Sequence, residues 1–173
     1  MSAHQNDDAG ITFIELLVYL VLLGIFSAVF VTIFVNTWTA QASVSSQTRA
    51  TMRGQLVSSE IERAMRNAVA FTISPDGSTL QVRTSLTGSR ECQAFALSAS
   101  GARMIVSTSP VTSSVWPIWQ DRIAQSGTTP FFEPIDSTGV TYTFDSTSDS
   151  APVHFTGDAN MRNAAEGTMA PCW

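Results

Sequence analysis

Few side chains in this sequence are spaced to do chemistry. The most conspicuous is Glu15, a carboxylate set five residues after Gly10 and inside an apolar run. An acid in such a place costs about 3 kcal/mol if the run enters a membrane, and it calls for a partner. No Lys, Arg or His lies between residues 11 and 48 to serve as one. The partner must then come from another chain or from a new terminus of this one. Cys92 and Cys172 are the two cysteines, open to reading as a bonded pair or as two separate thiols. His154 is the histidine left once the N-terminal His4 is set aside, and a Ser–His–Asp relay would have to rest on it alone. Asp145, Asp149 and Asp158 lie in a Ser/Thr-rich stretch and offer oxygen to calcium, yet their spacing fits no EF-hand loop and suits solvated turns better. Catalytic, metal and cofactor sites are therefore not expected.

Composition narrows the partners. The net charge is −5, all nine basic residues are Arg, and charged residues make up 13%. Such a chain is a poor match for a phosphate backbone and makes no case for nucleic acid as a partner. The 42 Ser and Thr residues suit solvated strands and turns.

The elements that must carry Glu15 are plain. From Ile11 to Val35, 20 of 25 residues are apolar. As a helix this run is about 37 Å long, against a hydrocarbon core of roughly 30 Å. A buried core helix would need more surrounding chain to cover an all-round apolar surface. A secretory signal peptide is the sharper rival, because Ala40-Gln41-Ala42 has the form of a cleavage site that would leave Ser43 first. Against it, residues 1–10 hold Asp7 and Asp8 but no Lys or Arg, and the apolar run is long.

The run Gly10-Ile11-Thr12-Phe13-Ile14-Glu15-Leu16-Leu17-Val18 resembles the prepilin cleavage and methylation motif of type IV pilins and type II secretion pseudopilins. The resemblance implies a leader at 1–10, cut by a prepilin peptidase between Gly10 and Ile11, with methylation of the new Ile11 amine. It implies a transmembrane and polymerisation helix at 11–35. Glu15 becomes the fifth mature residue, which in the family pairs with the terminal amine of a neighbouring subunit. Gly24 falls where many members carry Gly. Ile11 stands where Phe or Met is common, the leader is acidic, and Thr32 replaces a helix-kinking Pro, which points to a minor or divergent subunit. The resemblance also places the N-terminus in the cytoplasm, whereas Arg49 and Arg53 following the span would by charge bias alone put it outside. A disulfide between Cys92 and Cys172 is a further implication, since pilins frequently tie their C-terminal region down in this way.

Beyond the span, residues 36–71 read as an amphipathic continuation of the helix. Its stripe comprises Trp38, Ala42, Met52, Leu56, Val57, Ile61, Met65, Ala68 and Val69, interrupted only by Gly54. Acids interleave with Arg on the other faces, so a sheet is a better support for the stripe than an anionic lipid surface. Ser74-Pro75-Asp76-Gly77 stops the helical pattern. Residues 72–173 then read as a β-rich head. Its strand candidates are 79–84, 92–97, 103–108, 140–144 and 153–155, and a long loop covers 109–138, with one helical turn at 119–124. Trp116, Trp119, Phe131 and Phe132 in that loop read as anchors on the sheet. The expected class is α+β, a long N-terminal helix packed on an antiparallel sheet.

The function expected from the resemblance is that of a minor pilin or pseudopilin of the W/J-like class. Such a subunit is not an enzyme. It resides as a single-pass protein of the bacterial inner membrane and assembles into a type IV pilus-like or type II secretion-like filament. Its partners would be the prepilin peptidase, membrane lipid, other pilin subunits and the pilus assembly platform. The alternative is a monomeric membrane-anchored or secreted binding domain that uses the apolar helix as anchor or signal.

Overall fold

The computed structural model describes residues 12–85, 90–107, 116–162 and 172. Among the described residues one helix, α1 (Phe13–Arg66, 54 residues), precedes nine strands: β1 (Ala68–Ile73), β2 (Thr79–Thr84), β3 (Glu91–Ser98), β4 (Gly101–Ser107), β5 (Ile118–Gln120), β6 (Ile123–Ala124), β7 (Phe132–Pro134), β8 (Gly139–Ser146) and β9 (Val153–Asn160). This is the α+β class, a long N-terminal helix on antiparallel sheet. By compactness the chain divides into two units, Met1–Ala42 and Ser43–Trp173.

In the second unit, β1 to β5 form a five-stranded antiparallel sheet in sequential order. A second sheet is built around β8, which pairs with β6 and β7 over different stretches and with β9 along its whole length. The helix segment from residue 43 onward buries Ala50, Gly54, Val57, Ile61 and Met65, and the core joins Val57, Ile61 and Met65 to Leu80, Phe95, Phe132 and Phe144. Leu80 stands opposite Phe95 across β2 and β3. Because side chains alternate along a strand, β3 sends Phe95 and Leu97 into this core and Cys92 and Ala94 to the other face. There a smaller cluster forms with Trp116 and Cys172.

The disulfide implied by the resemblance is present. Cys92 and Cys172 are bonded, 80 residues apart in sequence and both buried. Closing a loop of that size stabilises a fold by roughly 4 kcal/mol in the chain-entropy account. The Ser74–Gly77 stop is a hairpin between β1 and β2. Asp76 accepts hydrogen bonds from the Ser74 and Ser78 hydroxyls and the Ser78 amide, and these hold its carboxyl below the usual carboxylate range, Ser74 most of all. Gly77 has φ 67°, and its carbonyl accepts from the Phe132 amide at 2.9 Å, joining the hairpin to β7. A side chain there would meet Pro130 and the Phe132 carbonyl, so glycine is required twice over.

Four expectations are corrected. Helix α1 stops at Arg66 rather than 71, and Ala68 and Val69 belong to β1. Asn67 closes the last turn, its amide donating to the Ala64 carbonyl and its side chain to the Arg63 carbonyl at 2.7 Å. Ala68 and Val69 suit a helix stripe and a strand equally, and the β2 pairing of Ala68 with Thr84 and of Ala70 with Arg83 decides between them, with Val69 in the irregularity between those pairs. The 119–124 stretch forms no helical turn. It runs through β5, turns at Asp121-Arg122 with Arg122 at φ 55°, and continues as β6, passing from one sheet to the other. The 109–138 loop likewise contains β5, β6 and β7, short strands that exist only because β4 and β8 offer edges to them. Finally, Trp38, Met52 and Leu56 are exposed, although the apolar pattern places them in the buried stripe. The buried face keeps Val57, Ile61 and Met65 of that stripe and adds small Ala50 and Gly54, the glycine where a ring from the sheet fills the space beside it. A Cβ on Gly54 would collide with the ring of Phe155, which stacks on Phe144 with ring centroids 5.3 Å apart.

Candidate functional site: Glu15 on the exposed apolar helix

In the first unit, α1 is long and apolar enough over its N-terminal part to cross a membrane, and none of that apolar window is buried within the chain. It is a candidate membrane span or signal. Leu, Val, Ile and Phe side chains project on all sides from Phe13 to Val35. A helix satisfies its own backbone, which is the requirement for entering lipid. Two threonine hydroxyls on the helix bond back to its backbone. Thr32 and Thr37 each donate to a carbonyl four residues back at 2.9 Å.

Glu15 lies in the first turn of this helix and is exposed. Thr12 caps the helix. Its hydroxyl accepts from the Glu15 amide over a long 3.4 Å, and its carbonyl accepts from the Leu16 amide at 3.1 Å. Among the described residues the carboxylate of Glu15 has no hydrogen bond to the helix terminus. It accepts instead from the phenol of Tyr19, one turn on, with OH to Oε1 at 3.2 Å. Two signals in the sequence could have led to these contacts. Thr12-x-x-Glu15 has the capping-box form, and Tyr19 sits four residues after Glu15, where helical side chains meet. Gly10 and Ile11, the expected processing residues, lie outside the described residues.

The other candidates are placed apart from Glu15. His154 and Asp145 are cross-strand partners on β9 and β8, with Nδ1 to Oδ1 at 2.7 Å. Ser126 reaches the same nitrogen at 3.1 Å. A relay needs the acid on one ring nitrogen and the serine on the other, so this trio lacks the geometry for it. The three aspartates have separate partners. Asp145 faces His154, Asp149 pairs with Arg122 at 2.9 Å, and Asp158 accepts from Thr141 at 2.7 Å. The Arg122 contact, aided by its charge, holds the Asp149 carboxyl below its usual range. Among the described residues no group of three or more His, Cys, Asp or Glu could hold a metal ion. Trp116, Phe131 and Phe132 are buried and Trp119 packs on the core, so all four act as anchors.

Comparison with protein-family models, with curated proteins and with solved structures finds no match to this chain.

Proposed function

We propose that this chain is a minor pilin or pseudopilin, a structural subunit processed by prepilin peptidase and built into a type IV pilus-like or type II secretion-like filament. The observation that carries the reading is Glu15 itself, five residues after Gly10, exposed on a lipid-compatible helix with no Lys, Arg or His between residues 11 and 48. Cleavage after Gly10 creates an amine at Ile11. In a bundle of such helices, the amine of one subunit meets the Glu15 carboxylate of the next. The helix moves from lipid into this bundle, so its apolar surface stays out of water throughout. Before assembly the subunit is a single-pass protein of the bacterial inner membrane, with the N-terminus cytoplasmic and the head outside. A buried disulfide supports that placement of the head, since such bonds persist in oxidising compartments.

The test is N-terminal mass analysis of the mature chain together with Glu15→Ala in cells that hold the peptidase. A mature chain beginning at Ile11, and loss of the Ala variant from sheared filaments with cleavage unimpaired, are expected. An intact Met1 would make the chain a membrane-anchored domain. A start at Ser43 would make it a secreted one, and either result overturns the reading.

A further inference from the structure

The first turn of α1 offers the Glu15 carboxylate two places to rest, and they have opposite consequences for a neighbour's amine. One is its own helix terminus. Glu15 is the third helical residue after the Thr12 cap, the position from which a capping-box glutamate reaches back to the cap amide. The other is Tyr19, whose phenol donates to Oε1 at 3.2 Å. In the structure the carboxylate takes the second.

We propose that Tyr19 is a positioning residue for Glu15. Its phenol holds one carboxylate oxygen away from the helix terminus and leaves the other open to the amine of an incoming subunit. The inference rests on the assembly role proposed for Glu15.

Three observations support it. The contact uses the i to i+4 relation, so it is built into the helix and needs no other element to form. Glu15 and Tyr19 are both exposed on an apolar segment, so in lipid less water competes for the carboxylate than in solution, and a donor from the same chain counts for more there. No Lys, Arg or His lies between residues 11 and 48, and Thr12, the other polar neighbour in the turn, is engaged with the backbone. A Phe at 19 would supply the same ring to lipid. The hydroxyl adds only the donor, and the donor points at Glu15.

The experiment compares Tyr19→Phe, Glu15→Ala, Glu15→Gln and the Glu15→Gln/Tyr19→Phe double variant as full chains in peptidase-containing cells. Two quantities are read. One is mature subunit in sheared filaments relative to the membrane pool. The other is the isotope-edited carboxylate stretch of Glu15 in unassembled protein in vesicles, identified as the band lost in Glu15→Gln. Tyr19→Phe should be cleaved normally, should shift that band, and should lower incorporation roughly tenfold, the scale of one hydrogen bond to a charged group. In the Glu15→Gln background it should cause no further fall. Wild-type incorporation of Tyr19→Phe, an unshifted band, or an equal loss in both backgrounds overturns the positioning role. If Glu15→Ala incorporates like wild type, the assembly reading itself fails, and that result is separate from the other three.

Discussion

Residues 13–42 and 43–66 form one α-helix by hydrogen bonding, yet they meet different surroundings. In the first stretch Ile, Leu, Val and Phe side chains project on every side and touch no core. In the second, Ala50, Gly54, Val57, Ile61, Ala64 and Met65 are buried, while Met52 and Leu56, both larger than Ala or Gly, stay 58% and 51% exposed. Apolarity alone would rank the first stretch as the better core former. The contrast teaches that being apolar and being buried are separate properties of a helix. The first stretch has the composition for lipid and no protein partner within its unit. The second is selected by shape, with a glycine at 54 where Phe155 of β9 approaches closely. Each stretch therefore has its own response to mutation.

The sharpest way to break the comparison is a matched pair. Ile61→Ala removes a fully buried side chain from the head core and should cost about 2–5 kcal/mol. Ile25→Ala, in the exposed stretch, should leave head stability unchanged. Guanidinium unfolding of the full chain in detergent, followed by the head tryptophans, measures both. A shift of the head transition by Ile25→Ala would show that the exposed stretch supports the head after all.

The two helical glycines sharpen the same contrast at smaller scale. Gly54→Ala gains about 1 kcal/mol of helix propensity, but its Cβ collides with the Phe155 ring. The net result should be a loss of about 1–3 kcal/mol, the usual cost of overpacking. Gly24 has nothing within 4 Å, so Gly24→Ala should not move the head transition. Equal effects from the two would sink the claim that shape selects the second stretch.

The smallest effect is one of pH. Tyr142 donates to Glu62 of α1 at 2.7 Å, and its phenol is pushed up to about 12, by burial first and by the Glu62 carboxylate second. Its neutral form is favoured in the folded state, so its contribution is complete below pH 10 and is lost as pH rises from about 10 to about 12. The chain has no Lys and two Tyr, which leaves this window nearly free of other titrations. Tyr142→Phe should cost about 1 kcal/mol at neutral pH and flatten the alkaline decline. The measurement is head stability against pH for both proteins, and an unchanged slope would rule out Tyr142 as its source.

Much of this was legible from residue order. The apolar run from Ile11 to Val35 predicts a helix that lipid can surround, because length and composition are local properties. The Ser74–Gly77 turn and the 79–84 strand were equally local, since a hairpin stop and period-two alternation need no distant partner. Glu15 drew attention by its type and place alone. Its link to Tyr19 was within reach as well, being a four-residue spacing on a helix.

What tertiary structure decided was wherever one pattern served two conformations or where bulk arrived from afar. Ala68 became strand because β2 lay ready to pair with it and with Ala70, carrying Val69 between them, and the 119–124 stretch became parts of two strands because the edges of β4 and β8 captured Gln120 on one side of the turn and Ile123 and Ala124 on the other. Gly54 interrupts the apolar stripe in sequence, and Phe155, about a hundred residues later, fills the space above it. Local sequence sets backbone preference and hydrophobic amount. Which face is covered, and by what, depends on contacts between residues far apart in the chain, and periodicity along one segment carries no record of them.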